Sequence, residues 1–416
     1  MKNKGTSLLV KISIGFVLGI VFGFLVGPMA ADNALLKEYV MPLLDAVGKI
    51  FLTLLKMLIV PLVFSSIVVG AASIGDPRSL GRIGIKTLVL YLLTTAVAIA
   101  IGLVLGNLIQ PGIGMNIAGA AGKAQEGKPL LDVFLDIFPS NPLDSLVKAN
   151  MLQIIVFALF FGVACLFAGE KGKRIVGAFD AIAEVMYSMT HMIMRLAPYG
   201  VFALIAVTAA KYGFSILAPF AKVIGAVYAG CILHALVVYS GMVVVFCKRS
   251  PLWYFKGVQE ASITAFVTRS SSATLPVTIA NVRDNLGVSE SISSFVLPLG
   301  ATINMDGTAL YQGVCALFVA QAFGIDLSIN AQIGIILTAT LASIGTAGVP
   351  GAGLIMLTLV LTSTGLPIEG IGLVAGIDAI LDAMRTCVNV TGDTAVCAVV
   401  AATEGEKLTP SDAVVN

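Results

Sequence analysis

Gly376-Ile-Asp378-Ala-Ile-Leu-Asp382-Ala-Met-Arg385-Thr386-Cys387-Val-Asn389-Val-Thr-Gly392-Asp393 carries six strongly polar residues through a stretch otherwise apolar enough to cross a bilayer. At about 100° per residue, Asp378, Asp382, Arg385, Thr386, Asn389 and Asp393 fall within an arc of roughly 100° on one helical face. A charged side chain at the centre of a membrane helix costs roughly 2.5–3.5 kcal/mol, so the four charges together cost on the order of 10–14 kcal/mol if left unpaired in lipid. The face must therefore look into a protein-lined cavity, where the charges meet one another, an ion or a polar substrate.

The rest of the chain agrees with a membrane setting. Of 416 residues, 58% are apolar and only 12% charged, and the mean hydropathy is +0.99. A soluble protein of this length carries about twice that charged fraction. The net charge of +2 points to no partner, and no basic run interleaved with aromatics suggests nucleic acid. Cys165, Cys231, Cys247, Cys315, Cys387 and Cys397 sit singly inside apolar stretches, with no C-x-x-C or His-Cys grouping, and read as small apolar fillers.

Candidate spans lie near residues 8–30, 40–74, 82–110, 150–169, 176–210 and 215–247. The first follows Met-Lys-Asn-Lys and is long enough to be a retained helix rather than a removed leader. Lys2, Lys4 and Lys11 precede the first span. Arg78, Arg82 and Lys86 follow the second, Lys171, Lys173 and Arg174 the fourth, and Lys248 and Arg249 the sixth. By the positive-inside rule these loops and the N-terminus are cytoplasmic, and the Gly-, Pro- and Lys-rich segment 111–149 is an outside loop.

From residue 252 the hydropathy is irregular. Arg269-Ser270-Ser271-Ser272-Ala273-Thr274-Leu275-Pro276 interrupts one apolar stretch, and Ser343-Ile344-Gly345-Thr346-Ala-Gly348-Val349-Pro350-Gly351-Ala-Gly353 interrupts another. Irregular backbone at membrane depth survives only where it is buried in protein or lines a watery cavity, so two such breaks point to paired re-entrant hairpins. Each is followed by a polar-bearing helix, one opening on Asn304-Met305-Asp306-Gly307-Thr308 and the other containing Asn389, which suggests a repeat. A serine-rich turn or a Gly-Pro loop explains either break alone. It does not explain two breaks together with two Asn/Asp helices.

An intramembrane hydrolase using one of Ser270–Ser272 as nucleophile needs a base, and none is evident. His191 and His234 lie outside this region and read as polar residues in helix interfaces. A passive pore accounts for buried charge but not for two tips plus an Asp/Arg pair three residues apart.

These segments resemble, nearly word for word, the motifs of the glutamate transporter family, the dicarboxylate/amino acid:cation symporters, and the likeness extends over essentially the whole chain. The resemblance implies an all-α polytopic membrane protein of eight transmembrane helices plus two re-entrant helical hairpins, built as inverted repeats. It implies a homotrimer in a prokaryotic inner membrane whose protomers work as elevators. Each would have a scaffold over about 8–74 and 128–211 and a mobile transport part over about 82–110 and 215–404. The expected activity is sodium-coupled symport of L-aspartate and/or L-glutamate, with no prosthetic group. A proton-coupled, neutral amino acid or C4-dicarboxylate transporter of the same fold is the alternative.

Carried over residue by residue, Arg385 pairs with the substrate side-chain carboxylate and Asp382 takes its ammonium. Thr386 and Asn389 hydrogen-bond the substrate, and Asp378 supports the arginine. Ser270, Ser271 and Ser272, with the Gly348–Gly353 tip including Val349 and Gly353, hold the α-carboxylate. Met305, Thr308 and Arg269 complete the substrate set, Arg269 following the microbial rather than the animal pattern. One sodium site maps to Gly300, Asn304, Asn389 and Asp393, and a second to Thr302, Met305, Ser343, Ile344 and Thr346. A third maps to Tyr91, Thr94, Thr95, Asn304 and Asp306. Independently of the family, an Arg fork matches a carboxylate, a buried Asp needs a cation, and hard cations want oxygen ligands. The second hairpin tip, Gly345 to Gly353, is the expected extracellular gate. Thr95, Ala273 and Cys387 stand where the family often has serine, glycine and methionine.

Overall fold

A computed structural model of the chain describes residues 8–30, 33–72, 81–115, 135, 138–343 and 351–408. Among these every regular element is helical. The helices are α1 (Leu8–Ala30), α2 (Met41–Ala72), α3 (Gly81–Ile109), α4 (Met151–Phe167), α5 (Gly169–Met194), α6 (Ala197–Tyr212) and α7 (Leu217–His234, continued by π-type turns to Cys247). They continue with α8 (Pro251–Thr268), α9 (Ser271–Ala280), α10 (Glu290–Ile303), α11 (Asp306–Ala322), α12 (Ile329–Ser343), α13 (Ala352–Ser363) and α14 (Asp378–Thr403).

Of the eight membrane helices expected, five described ones are individually long and apolar enough to span, and α5 with α6, bent by 52°, makes a sixth. The others fall short for identifiable reasons. α4 has 17 residues, and α10 stops at Ile303 because Asn304 leaves helical backbone at ψ 100° and Met305 sits at φ −124° before α11 begins. The two-residue break Asn304-Met305 thus separates two half-helices.

Two groups of helices share the molecule. In the first, α2 packs against α4, α5 and α6, while α1 lies along α6. That last contact is built on glycines: Gly15, Gly19, Gly23 and Gly27, spaced by four, lie on the backbone oxygens of Pro198, Phe202, Ala206 and Ala210 in turn. With no side chain in the way the two backbones touch, which is how helices associate when lipid offers no hydrophobic drive. In the second group α14 is the axis. It is buried over almost its whole length and is surrounded by α3, α7, α8, α10 and α11. Its far end is tied down by Glu404, which pairs with Arg82 and Lys86 of α3, and by Glu406, whose Oε2 accepts the Ser289 N–H at 3.0 Å. The two cations hold the Glu404 carboxyl below the usual carboxylate range.

Both serine- or glycine-marked breaks are flanked by helices that pack on each other, α8 on α9 and α12 on α13. In the first, Arg269 turns the chain at φ +54°, and Ser270 Oγ accepts the Ala273 N–H at 3.1 Å to start α9. In the second, Gly351 stands at φ +84° before α13, and Ile344, Thr346 and Val349 lie outside the described residues.

The α1–α6 seam makes a direct prediction. A Cβ on Gly23 would stand 2.5 Å from Ala206 O and 2.6 Å from Ala209 Cβ, so Gly23→Leu must push the helices apart. We expect the variant to elute from size exclusion in detergent as aggregate, whereas Gly177→Leu, whose Cβ meets nothing, elutes as wild type. Equal behaviour of the two would remove the seam as a determinant of the fold.

Candidate functional site

All six polar residues of the opening stretch are at least nine-tenths buried on α14. Arg385 is fully buried, and its guanidinium is forked between two carboxylates. Nη1 donates to Asp378 Oδ1 and Nη2 to Asp382 Oδ1, each at 2.7 Å. The spacing is helical: Asp382 is three residues before Arg385 and Asp378 seven, so all three share one face. Tyr311 of α11 places its ring under the guanidinium, with the carbon 4.0 Å from the centroid. Gly353 closes the other side, where a Cβ would stand 2.7 Å from Arg385 Cζ. Asp382 Oδ2 is turned towards Arg269 Nη1 at 3.9 Å and accepts the Gly351 N–H at 3.4 Å. The two tips thus meet at one carboxylate. The cavity beside it is lined by Arg269, Gly351, Leu354, Asp378 and Asp382, and from the first helix group by Phe51 and Met194.

One turn further along, Asn389 does more local work than expected. Its Oδ1 accepts the N–H of Gly307 at 2.8 Å and of Thr308 at 3.4 Å, capping α11, while Nδ2 reaches Thr308 Oγ1 at 3.2 Å and Met305 Sδ at 3.1 Å. Thr386 Oγ1 donates to the Asp382 carbonyl at 2.9 Å. Ser270 and Ser271 are buried at the start of α9, but Ser272 is exposed.

Two of the three expected cation groups are brought together in part. In the first, Asn304 Nδ2 donates to Asp393 Oδ1 at 2.9 Å, and Asn304 Oδ1 is buried with no hydrogen-bond partner. Gly300 faces the same spot, since a Cβ there would meet Asp393 Oδ1 and Tyr91 Oη at 2.5 Å. An orphaned carbonyl beside a buried carboxylate is a donor set that a small hard cation completes. In the group at Asp306, Oδ1 accepts the hydroxyls of Thr95 at 2.7 Å and Thr94 at 3.2 Å, whereas the Tyr91 hydroxyl donates instead to Val296 O at 3.0 Å. The remaining group is not brought together among the described residues. Thr302 is exposed with its hydroxyl on Leu299 O at 2.9 Å, and Ser343 Oγ donates to Thr340 O at 2.7 Å. Ile344 and Thr346 of that group lie outside the described residues.

Three residues at the site were not read from the sequence as part of it. Tyr311 is one. The others are His234, whose Nε2 lies 3.2 Å from Asp306 Oδ2, and Tyr239, whose hydroxyl donates to the same oxygen at 2.8 Å. The reading of His234 as a residue of a helix interface remote from the site is corrected by this contact. A π-type turn over Ala235–Tyr239 is the reason. Five residues apart on an α-helix is roughly 140° of rotation, but i→i+5 turns bring such a pair towards one face.

The sodium:dicarboxylate symporter family's sequence profile matches residues 8–403. The chain belongs to that family. It is 40% identical to the proton/glutamate-aspartate symporter of Escherichia coli K12, over 96% of this chain and 94% of that protein. It is 38% identical to the proton/sodium-glutamate symport protein of Geobacillus stearothermophilus, over 94% of this chain and 93% of that one. Excitatory amino acid transporter 3 of Mus musculus is 33% identical, over 93% of this chain and 83% of its own length. The chain is therefore a multi-pass membrane transporter and not an enzyme.

The fork at Arg385 predicts a stability effect. Arg385→Met leaves Asp378 and Asp382 buried without their shared cation, a loss of about 3–5 kcal/mol. Chemical denaturation in detergent should show it, with Asp378→Asn losing less because Asp382 still pairs. Wild-type stability in Arg385→Met would mean that the carboxylates find water or another cation.

Proposed function

We propose that this chain is a sodium-coupled symporter of acidic amino acids, L-aspartate and/or L-glutamate. The observation that carries the reading is the doubly paired Arg385. Asp378 and Asp382 supply the carboxylates that the guanidinium fork requires. A substrate side-chain carboxylate entering beside Gly353 takes over one arm of the fork and frees Asp382, which then needs a cation and finds the substrate ammonium. In this proposal Ser270, Ser271 and Ser272 and the Gly348–Gly353 tip hold the α-carboxylate. The relatives, glutamate and glutamate-aspartate symporters and an excitatory amino acid transporter by name, support the same substrate class.

Sodium is favoured as the coupling ion because the Asn304 and Asp393 oxygens form an incomplete oxygen shell. The Escherichia coli relative, by name a proton/glutamate-aspartate symporter, supports a second reading in which protons drive the same cycle. The two helix groups correspond in this proposal to scaffold and transport parts, in a homotrimer of the inner membrane with a cytoplasmic N-terminus. α13 is buried from Ala352 to Leu361 and packs on α2, whereas Ile263, Phe266 and Val267 of α8 are exposed.

Replacing sodium by choline at constant pH should abolish tight aspartate binding measured by calorimetry. Unchanged binding, with uptake into proteoliposomes driven by a proton gradient alone, would decide for the proton. In saturating sodium, Arg385→Cys should weaken aspartate by at least about 30-fold while admitting small neutral amino acids. Asp382→Asn should weaken every amino acid alike. Wild-type aspartate affinity in Arg385→Cys would move the carboxylate to Arg269.

A further inference from the structure

Asp306 has no exposed surface, and its two oxygens have different partners. Oδ1 accepts from Thr94 and Thr95, both on α3. Oδ2 accepts from Tyr239 at 2.8 Å and faces His234 Nε2 at 3.2 Å, both from the π-type turn of α7. The two α7 rings brace each other edge to face, with centroids 4.8 Å apart and planes at 82°. Among the described residues His234 Nδ1 has no partner, and the ring's one polar contact is to the carboxylate. With Asp306 ionised, that contact requires the hydrogen on Nε2.

The two sides also differ in what they can give up. Thr94 Oγ1 lies 3.1 Å from the Tyr91 carbonyl as well as 3.2 Å from Asp306. A turn of the hydroxyl sends its hydrogen to Tyr91 O and presents a lone pair where it formerly donated. An imidazole N–H has no such alternative, because it is a donor only along its ring axis. The Tyr239 hydroxyl also has a second acceptor, Val388 O at 3.1 Å, so of the two Oδ2 partners only the imidazole N–H lacks an alternative.

We infer that His234 and Tyr239 are positioning residues for the cation ligand Asp306: they hold Oδ2, so that Oδ1 alone faces the ion together with the rotatable hydroxyls of Thr94 and Thr95. The inference rests on the sodium reading above. Neither residue touches the ion, and the role requires no change in their protonation. Without the anchor the carboxylate is free to rotate and must be ordered each time an ion binds, so sodium affinity falls while the substrate pocket at Arg385 is untouched.

The test compares wild type with His234→Leu, His234→Gln and Tyr239→Phe, all as full chains in detergent. Two quantities are read: the sodium concentration giving half-maximal aspartate binding, and the sodium-induced rise in melting temperature without substrate, which reports ion binding alone. His234→Leu and Tyr239→Phe should each raise the half-maximal sodium concentration by about tenfold and shrink the melting shift, with aspartate affinity in saturating sodium unchanged. His234→Gln keeps an N–H donor and should recover most of the loss. If His234→Leu does not fold, Tyr239→Phe, which removes one oxygen, carries the same test. A packing role alone would lower the sodium-free melting point and leave both sodium responses at wild-type values, and that result overturns the inference while leaving sodium coupling intact. A wild-type protein indifferent to sodium in both measurements overturns the coupling and this inference together.

Discussion

Buried charge has to be neutralised inside the protein, and at membrane depth no water can do it. Every feature of the second helix group follows from that constraint. α14 carries Asp378, Asp382, Arg385 and Asp393 along one face, and the surrounding helices are arranged to meet them: α11 brings Tyr311 under the guanidinium, α13 brings Gly353 against it, and the broken α10–α11 junction brings Asn304 to Asp393. Since only breaks in helices expose backbone and short polar side chains at that depth, the breaks and the charges lie together.

The polar partners form two adjoining compartments. The one at Arg385 shares one guanidinium between two carboxylates, and in the proposed function an incoming acidic substrate exchanges with one of them. The one at Asn304, Asp306 and Asp393 is only partly satisfied, with a carbonyl oxygen left over. Asn389 joins the two: its amide caps the α11 half-helix that begins with Asp306, and it lies one turn beyond Arg385 on α14. A shift of α14 driven by substrate is therefore transmitted to the first turn of α11, which bears a cation ligand. In the proposed mechanism this is the physical basis of coupling.

The first helix group is built by a different rule. It carries no buried ion pair among the described residues, and its closest seam is the run of glycines on α1 against the backbone of α6. Such a seam is rigid and specific without polar atoms. In the proposed mechanism that suits the scaffold part.

The sequence alone determined the membrane setting, because an apolar chain of this hydropathy cannot be solvated otherwise. It also determined that α14 faces a cavity, because four charges on one arc admit no other placement. The two breaks were equally legible, since Arg269–Ser270 and the Gly-Pro tip contradict the apolar helices around them. The glycine seam was present as a spacing of four but was not read, because glycine in a membrane helix signals contact only once its partner is known. His234 and Tyr239 were decided by tertiary structure. Regular helical geometry puts them on different faces, and only the π-type turn, together with the approach of Asp306 from a distant helix, brings both donors onto one carboxylate oxygen. Periodicity reports which face is polar. It does not report where the period changes, or which residue of another helix is waiting there.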